Sequence, residues 1–312
     1  MNVLIIGTKR KLLPVYDYCK KNQYNILCIR NDDHENNSQI LNNNSIWIKD
    51  VTDQILYNFL PDQIINFKEQ KYFLKLEYDL NTMFKLETFL TENLIKFFSS
   101  KMEQDRIFKS LNIPTVPNKS NTVIVKSDSS GGTNFKVTER DKVDQNYFVQ
   151  DYLSIDYIIS CHFYSDGNKW YHLNNHIIKY EENCPSETLT PYQLTGNDKN
   201  IIDQSIQKLS KKIKIKNKLF GWQFLKDQRG NLYSIDFNLR PFGGFDMGSY
   251  DTDTSNQNWS SYIFGNVPPE YITYTDTIEC FYKKKQRFGY SDVNRVKTKL
   301  TNFINFKVNI YD

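Results

Sequence analysis

The sequence has no long apolar run and little excess of charge. No stretch of its 312 residues is apolar enough to span a bilayer, since a spanning helix needs about 20 such residues. The opening residues, MNVLIIG, lack a basic flank and a small-residue cleavage site, so we expect a strand there rather than a signal peptide. The net charge is only +4, and the basic runs at 208–218 and 282–288 are typical of solvated surfaces. We therefore expect a cytoplasmic protein that binds neither membranes nor nucleic acid.

Several common site motifs are also missing. The glycines form neither a GxGxxG fingerprint after the first strand nor a Walker loop, and no Ser/His/Asp or Cys/His nucleophile pattern is present. No CxxC pair or Cys/His cluster occurs, which argues against structural zinc and favours a reducing compartment. The scattered cysteines are Cys19, Cys28, Cys161, Cys184 and Cys280.

The first third of the chain alternates short apolar strands with helical segments. This alternation is typical of an open parallel α/β sheet. One long helix is predicted over 80–111, ending before Pro114. The predicted strands are 2–7, 24–30, 45–50 and 63–67, with a helix over about 12–21.

From about residue 120 the pattern changes to short strands with tight turns, typical of antiparallel sheets. A helix is predicted over about 199–213. The predicted strands are 122–127, 134–139, 147–153 and 155–180, the last with a turn at Asp166-Gly167, followed by a hairpin over 221–238 with a turn at Arg229-Gly230.

One lysine, Lys126, ends the apolar strand TVIVK, and a loop of small residues follows it. Backbone N–H groups of such a loop can surround phosphate oxygens, while the lysine supplies positive charge. A Gly-Gly turn after a strand is the ordinary structural alternative, so the loop by itself only suggests a phosphate site. The loop residues are Ser129, Ser130, Gly131, Gly132 and Thr133.

The late segment IDFNLRPFGG places Asp236, Asn238 and Arg240 at alternate positions of a predicted strand. Alternation directs their side chains to one face. A carboxylate, an amide and a guanidinium form a poor apolar core, whereas they suit a metal ion that bridges phosphates with a cation beside it.

Taken in order, four segments resemble the ATP-grasp superfamily over about residues 95–245. They are KMEQDRIFKSLNIPTVP, VIVKSDSSGGT, FVQDYL and IDFNLRPFGG. The first looks like the corresponding helix of the ATPase subunit of phosphoribosylaminoimidazole carboxylase and of biotin carboxylase. The layout over 100–245 is similar to that of the pyrrolysine-pathway ligase.

The resemblance implies a fold of mixed α/β and α+β type. An N-terminal open parallel α/β (pre-ATP-grasp) domain would span 1–88. A small ATP-grasp subdomain with the Gly-rich loop would span 89–154, and a C-terminal subdomain with the metal site would span 155–312. Antiparallel sheets of the two subdomains would clamp the nucleotide between them.

The resemblance also implies that ATP is bound, and it assigns the nucleotide contacts. Lys101 and Lys126 match the lysines that hold the phosphates, with Lys126 also acting in catalysis, and the loop 129–133 would close over the β- and γ-phosphates. The strand that contacts adenine matches Gln150, Asp151 and Leu153. The acidic position that bonds the ribose hydroxyls matches Asp156.

Asp236 and Asn238 match the family's ligands of Mg²⁺, for which Mn²⁺ is an alternative ion. The family usually has a second metal carboxylate about a dozen residues earlier, where this chain has Gln223. A neutral amide is a weaker ligand for a hard dication, which puts full metal occupancy or full activity in doubt.

Arg240 matches a catalytic residue that faces the substrate carboxylate and the acyl phosphate, and Gly243 and Gly244 match backbone that lines the substrate site. The implied reaction activates a carboxylate as an acyl phosphate, which an amine then attacks. We expect an amino-acid type carboxylate–amine ligase for small molecules. The alternatives are a carboxylase-type enzyme that uses bicarbonate and a nucleotide-binding protein with weakened catalysis. The sequence leaves the substrates unspecified and a homodimer open.

Overall fold

The structure is a computed structural model. It describes residues 1–7, 12–30, 45–126, 135–143, 147–181, 184–241, 259–282 and 295–312. These residues form three sheets, of four, three and eight strands. The sheets fall within the three predicted segments 1–88, 89–154 and 155–312, whose boundaries stay predictions.

The first sheet is parallel in every strand pair, as the sequence predicts, and has the order β3-β2-β1-β4. The inner strand β1 is apolar from Val3 to Ile6, and these residues are fully buried because both faces of a parallel sheet are covered. The strands are β1 (Asn2–Ile6), β2 (Asn25–Arg30), β3 (Ser45–Trp47) and β4 (Gln63–Asn66), and the first two helices are α1 (Leu13–Lys21) and α2 (Asp53–Phe59).

The prediction of one helix over 80–111 is wrong, because three shorter helices occupy 71–110. Lys85 has a φ of +55°, which no α-helix can contain. The side chains of Thr91 and Ser100 then accept hydrogen bonds from backbone N–H groups three residues ahead, which caps the next two helices. The helices are α3 (Lys71–Met83), α4 (Glu92–Ser99) and α5 (Lys101–Ser110).

The second sheet is antiparallel and small, with β5 (Thr122–Lys126) between β6 (Phe135–Glu139) and β7 (Phe148–Asp151). Its register places Lys126 opposite Phe148 and Ile124 opposite Gln150. The predicted phosphate lysine and the predicted adenine strand are therefore direct neighbours.

The third sheet runs in the order β12-β11-β8-β9-β10-β13-β14, with β15 paired to β9. Both predicted hairpins are present, and Gly167 adopts a φ of +107° in the first turn, where glycine is favoured. The strands are β8 (Ile155–Asp166), β9 (Trp170–Glu181), β10 (Cys184–Thr190), β11 (Lys216–Asp227), β12 (Leu232–Asn238), β13 (Tyr271–Tyr282), β14 (Arg295–Lys307) and β15 (Asn309–Tyr311), and the helices are α6 (Gly196–Lys212) and α7 (Ser260–Ile263).

The two faces of the third sheet differ in character. One face packs Phe220, Trp222 and Phe237 against Phe97 and Phe98 of α4 in an aromatic core. Fully burying each such side chain contributes roughly 1.5–3 kcal/mol. Alternation then sends the residues between them to the other face, which carries the candidate site.

Candidate functional site

A row of polar side chains crosses the third sheet on the face opposite the aromatic core. Asp236 of β12 lies opposite Gln223 of β11, and Gln223 lies opposite Ser160 of β8. Residues directly opposite each other in a ladder project from the same face. Gln223 Nε2 donates to Ser160 Oγ at 2.8 Å, so the row is hydrogen-bonded as well as aligned.

The predicted phosphate lysine Lys101 forms an ion pair with the predicted metal ligand Asp236. Lys101 is the first residue of α5, and its side chain is only 5% exposed. Gln104, one turn on, fixes this helix to β12: its Nε2 donates to the Phe237 carbonyl at 2.7 Å, and its Oε1 accepts from the Phe237 N–H at 3.3 Å. Two sequence-predicted residues from distant segments are therefore in direct contact.

Asn238 shares the face of Asp236, and Arg240 lies just beyond the strand. Asn238 Nδ2 lies 3.3 Å from Asp236 Oδ2. The prediction that Arg240 belongs to the same strand is wrong, since β12 ends at Asn238, and Pro241 has no N–H with which to extend the ladder. Arg240 nevertheless reaches the site, because its guanidinium projects back toward the N-terminal domain.

The partner of Arg240 is Glu69, which the sequence reasoning missed. Arg240 Nη2 donates to Glu69 Oε1 at 2.8 Å, and the glutamate side chain is only 4% exposed. Glu69 follows β4 at the carboxyl end of a parallel strand. Ligand sites of open α/β sheets lie at this end, and that signal could have identified the residue.

The donor set suits a hard cation held jointly with phosphates. Among the described residues no group of three or more His, Cys, Asp or Glu side chains could hold a metal by itself. One carboxylate, Asp236, and the amide oxygen of Asn238 offer the hard ligands that Mg²⁺ prefers, and Gln223 stands beside them as a neutral group. Such a site would bind the ion weakly without further oxygen ligands from a nucleotide.

Lys126 lies at the end of β5 in a half-buried position, with Nζ 3.4 Å from Gln150 Oε1. Burial lowers the pKa of the Lys126 ammonium to about 8. The predicted phosphate loop, residues 129–133, and the predicted substrate residues Gly243 and Gly244 lie outside the described residues.

The predicted adenine strand borders a cavity of about 240 Å³ between α5 and β7. Gln150 and Val149 contribute to its wall, together with Met102 and Val116. Gln150 itself is buried and accepts from Lys126 in this structure.

Asp151 has a structural part in holding the preceding loop. Its carboxylate accepts from the N–H groups of Lys119 and Ser120, at 2.8 and 2.7 Å, while its own N–H donates to the Pro117 carbonyl. That N–H is therefore not offered to a nucleotide. Leu153 is half-buried and Asp156 exposed, and the nucleotide roles of these positions stay predictions.

Two buried histidines extend the polar row beyond Ser160. His162 Nε2 and His176 Nδ1 are 3.0 Å apart, and burial lowers the pKa of His176 to about 4. His176 is thus neutral near pH 7. His176 lies on β9, which is separated from Asp236 on β12 by three strand spacings, about 14 Å in all. This distance favours a packing role for His176 over a direct contact with the phosphates.

Comparison with known proteins gives matches at the level of structure. No family model and no curated protein matches the chain. An N5-carboxyaminoimidazole synthetase from Staphylococcus aureus, complexed with ADP, matches with a TM-score of 0.69 and 15% identity over 90% of this chain and 81% of its own. A biotin carboxylase from Campylobacter jejuni matches with a TM-score of 0.67 and 14% identity over 90% of this chain and 75% of its own.

An L-amino acid ligase from Bacillus licheniformis matches the whole of this chain and 93% of its own, with a TM-score of 0.65 and 11% identity. All three are ATP-grasp enzymes. The chain therefore has the ATP-grasp fold, preceded by an N-terminal α/β domain, as the sequence resemblance predicts. No described helix has the length and apolar character needed to cross a membrane.

Proposed function

Proceeding from the ATP-grasp fold, we propose that this protein is an ATP-dependent ligase that joins a small-molecule carboxylate to an amine, with amino acids as the substrate class. The observation that carries the proposal is the contact of Lys101 with Asp236, beside Asn238 and Arg240. An ammonium, a carboxylate and an amide meet on one face of the sheet, and the Arg240 guanidinium lies on the far side of Glu69 from the amide. Phosphoryl transfer to a carboxylate requires groups of these kinds.

The reaction divides into two steps. A carboxylate oxygen of the first substrate attacks the γ-phosphorus of ATP, and the bond to the bridging oxygen of ADP breaks, giving an acyl phosphate. The amine of the second substrate attacks the acyl carbon, phosphate leaves, and the nitrogen loses a proton, giving an amide. No enzyme nucleophile is required.

The chain's own residues supply position and charge. Lys101 and Lys126 would hold the phosphates, and Arg240 would orient the carboxylate through its planar fork. Asp236 and Asn238 would hold Mg²⁺, which supplies positive charge to the transferring phosphoryl group when bound. These groups stabilise the charge that develops in the transition state rather than that of the ground state.

One observation supports the amino-acid class. The L-amino acid ligase matches the chain over its full length, whereas the other two structures named above match over 90%. The guanidinium of Arg240 suits a planar carboxylate, and amino acids and bicarbonate both present one.

A second candidate function uses bicarbonate as the acceptor of the phosphoryl group. It is favoured by the slightly higher TM-scores of the N5-carboxyaminoimidazole synthetase and the biotin carboxylase. A third is nucleotide binding with weakened catalysis, which Gln223 favours because it replaces a metal carboxylate.

The test is phosphate release from ATP in the presence of Mg²⁺, with pooled amino acids in one arm and bicarbonate in the other. Phosphate and an amide product in equal amounts, the product detected by mass spectrometry, would support the ligase. Phosphate release in the bicarbonate arm and not in the amino-acid arm would favour the second candidate. Tight ADP binding without release in either arm would favour the third.

A further inference from the structure

We propose that Glu69, from the N-terminal domain, is a positioning residue that sets the orientation of both Asn238 and Arg240. The inference rests on the proposed function for its consequences in catalysis. Its structural basis is one buried carboxylate that reaches two site residues more than 160 positions away in sequence.

The two carboxylate oxygens of Glu69 contact different residues of the site. Oε1 accepts from Arg240 Nη2 at 2.8 Å. Oε2 lies 2.8 Å from the amide nitrogen of Asn238 when that amide is turned so that its nitrogen faces Glu69. The same orientation lets this nitrogen donate to the Phe237 carbonyl at 3.3 Å.

The alternative orientation of Asn238 is poorer. It gives a single hydrogen bond, from Nδ2 to Asp236 Oδ2 at 3.3 Å, and turns the amide oxygen toward other acceptors. A carboxylate accepts hydrogen bonds and cannot donate them when ionised, so Glu69 selects the orientation in which Asn238 offers it an N–H.

This selection determines whether Asn238 can bind a metal. With its nitrogen on Glu69, its oxygen occupies the position 3.3 Å from Asp236 Oδ2. Two oxygens at adjacent corners of a Mg²⁺ octahedron are about 2.9 Å apart. Glu69 thus turns the Asn238 oxygen toward the Asp236 carboxylate, so that both face one point, as partners behind metal ligands commonly do.

Glu69 also fixes the orientation of the Arg240 guanidinium. Arg240 Nη1 donates to the Pro241 carbonyl at 3.1 Å and Nη2 donates to Glu69, so the plane of the guanidinium is fixed from two sides. A charge-assisted bond to a side chain that is 4% exposed is stronger than one in water. Arg240 therefore presents its fork in one orientation to an incoming carboxylate.

Glu77 provides a matched control at the same junction. Its Oε1 pairs with Lys218 at 2.5 Å, with both side chains buried, and its Oε2 accepts from Asn66. This pair links the same two parts of the chain as Glu69 and Arg240 do. Substitution of Glu77 should cost stability while leaving the orientation of Asn238 unchanged.

The test measures ADP binding by calorimetry with and without Mg²⁺, for the wild type, Glu69→Gln and Glu77→Gln, each first shown by circular dichroism to be folded. The glutamine introduced at 69 has an amide N–H that requires an acceptor, so it turns the oxygen of Asn238 away from Asp236. We expect Glu69→Gln to lose at least about tenfold of the Mg²⁺-dependent gain in ADP affinity. Metal-free ADP affinity should stay unchanged.

Two further variants sharpen the test. Glu69→Asp keeps the charge on a shorter side chain and should lie between the wild type and Glu69→Gln. Combining Glu69→Gln with Asn238→Asp should restore part of the Mg²⁺ effect, because a carboxylate accepts from the new amide and still offers an oxygen to the metal. A purely structural role for Glu69 predicts no such recovery.

In turnover assays with Mg²⁺, Glu69→Gln should lower kcat and raise the KM for the carboxylate, and the KM for ATP should rise as the Mg²⁺-dependent part of nucleotide affinity is lost. The proposal is overturned if Glu69→Gln keeps the full Mg²⁺ effect, or if Glu77→Gln loses as much of it. A wild type that binds ADP neither with nor without Mg²⁺ would instead refute the proposed function, and this inference with it.

Discussion

At the scale of single residues, Lys126 should make nucleotide affinity depend on pH. Burial lowers its pKa to about 8 in the folded protein, and a bound phosphate would raise that pKa. Only the ammonium form attracts phosphate, so affinity is full below about pH 8 and falls as the pH rises, by up to about tenfold per unit. Calorimetric titration of ADP between about pH 7 and about pH 9 measures this slope, and buffers of different ionisation enthalpy report proton uptake.

The controls for Lys126 separate charge from titration. The arginine of Lys126→Arg stays charged over this pH range, so ADP affinity should no longer fall as the pH rises. Lys126→Ala should weaken ADP binding by about 1.5–3 kcal/mol at neutral pH. An equal slope in the wild type and in Lys126→Arg would assign the titration to another group and remove the phosphate role.

The metal site leads to a second prediction at this scale. Asp236 is the one carboxylate among the predicted ligands, and it is already paired with Lys101. We expect the protein to bind Mg²⁺ only together with nucleotide, Asp236→Asn to abolish turnover, and Gln223→Glu to tighten metal binding. Calorimetry with Mg²⁺ alone and with Mg²⁺ plus ADP tests this. Micromolar binding of Mg²⁺ alone, or near-normal turnover of Asp236→Asn, would show that the ion lies elsewhere.

At the scale of elements, β12 ends the strand order of the third sheet, and other segments cover its outer edge. Gln104 of α5 bonds both backbone groups of Phe237, and the Ser234 N–H donates to the Pro114 carbonyl at 2.7 Å. An edge strand left open would expose these groups to pairing with another chain. The same contacts position Asp236 and Asn238, which flank Phe237.

Removing the Gln104 contact should therefore affect stability and the site together. Gln104→Leu removes both hydrogen bonds to the backbone of Phe237 and leaves its buried N–H unpaired, and we expect a loss of about 2 kcal/mol or more in the free energy of unfolding. Mg²⁺-dependent ADP affinity should fall with it. Urea denaturation measures the first effect, and Gln54→Leu on exposed α2 is the control, expected within about 0.5 kcal/mol of wild type. A stable Gln104→Leu variant would mean that water replaces both bonds.

At the scale of the whole molecule, the sequence predicts what local patterns encode and misses what distant contacts determine. The alternation of strands with helical segments predicted the parallel first sheet, and the turns at Asp166-Gly167 and Arg229-Gly230 predicted both hairpins, because these patterns involve residues close in the chain. The breaks of the helical region at Lys85 and Ser100 were missed, since a capping serine and a left-handed lysine interrupt the apolar period only weakly. The contact between Glu69 and Arg240 spans 171 positions, and no local pattern contains it.

The first and third sheets share one core, which predicts that they unfold together. Val3 and Ile5 of β1 belong to the same buried cluster as Tyr164 and Leu219 of the third sheet. Chains beyond about 150 residues often unfold in steps, and a common core opposes this for these two sheets.

We therefore expect Leu219→Ala, a substitution in the third sheet, to lower the free energy of unfolding by about 2–5 kcal/mol and to lower amide protection across β1 by a similar amount. Hydrogen exchange measured by mass spectrometry reports both quantities, and Val267→Ala at an exposed position serves as control. If the first sheet were an independent unit, Leu219→Ala would leave the exchange of Val3 to Ile6 unchanged. The placement of Glu69 against Arg240 would then depend on docking between two separately stable parts, and the metal-dependent affinity for ADP would be lost before either part unfolds.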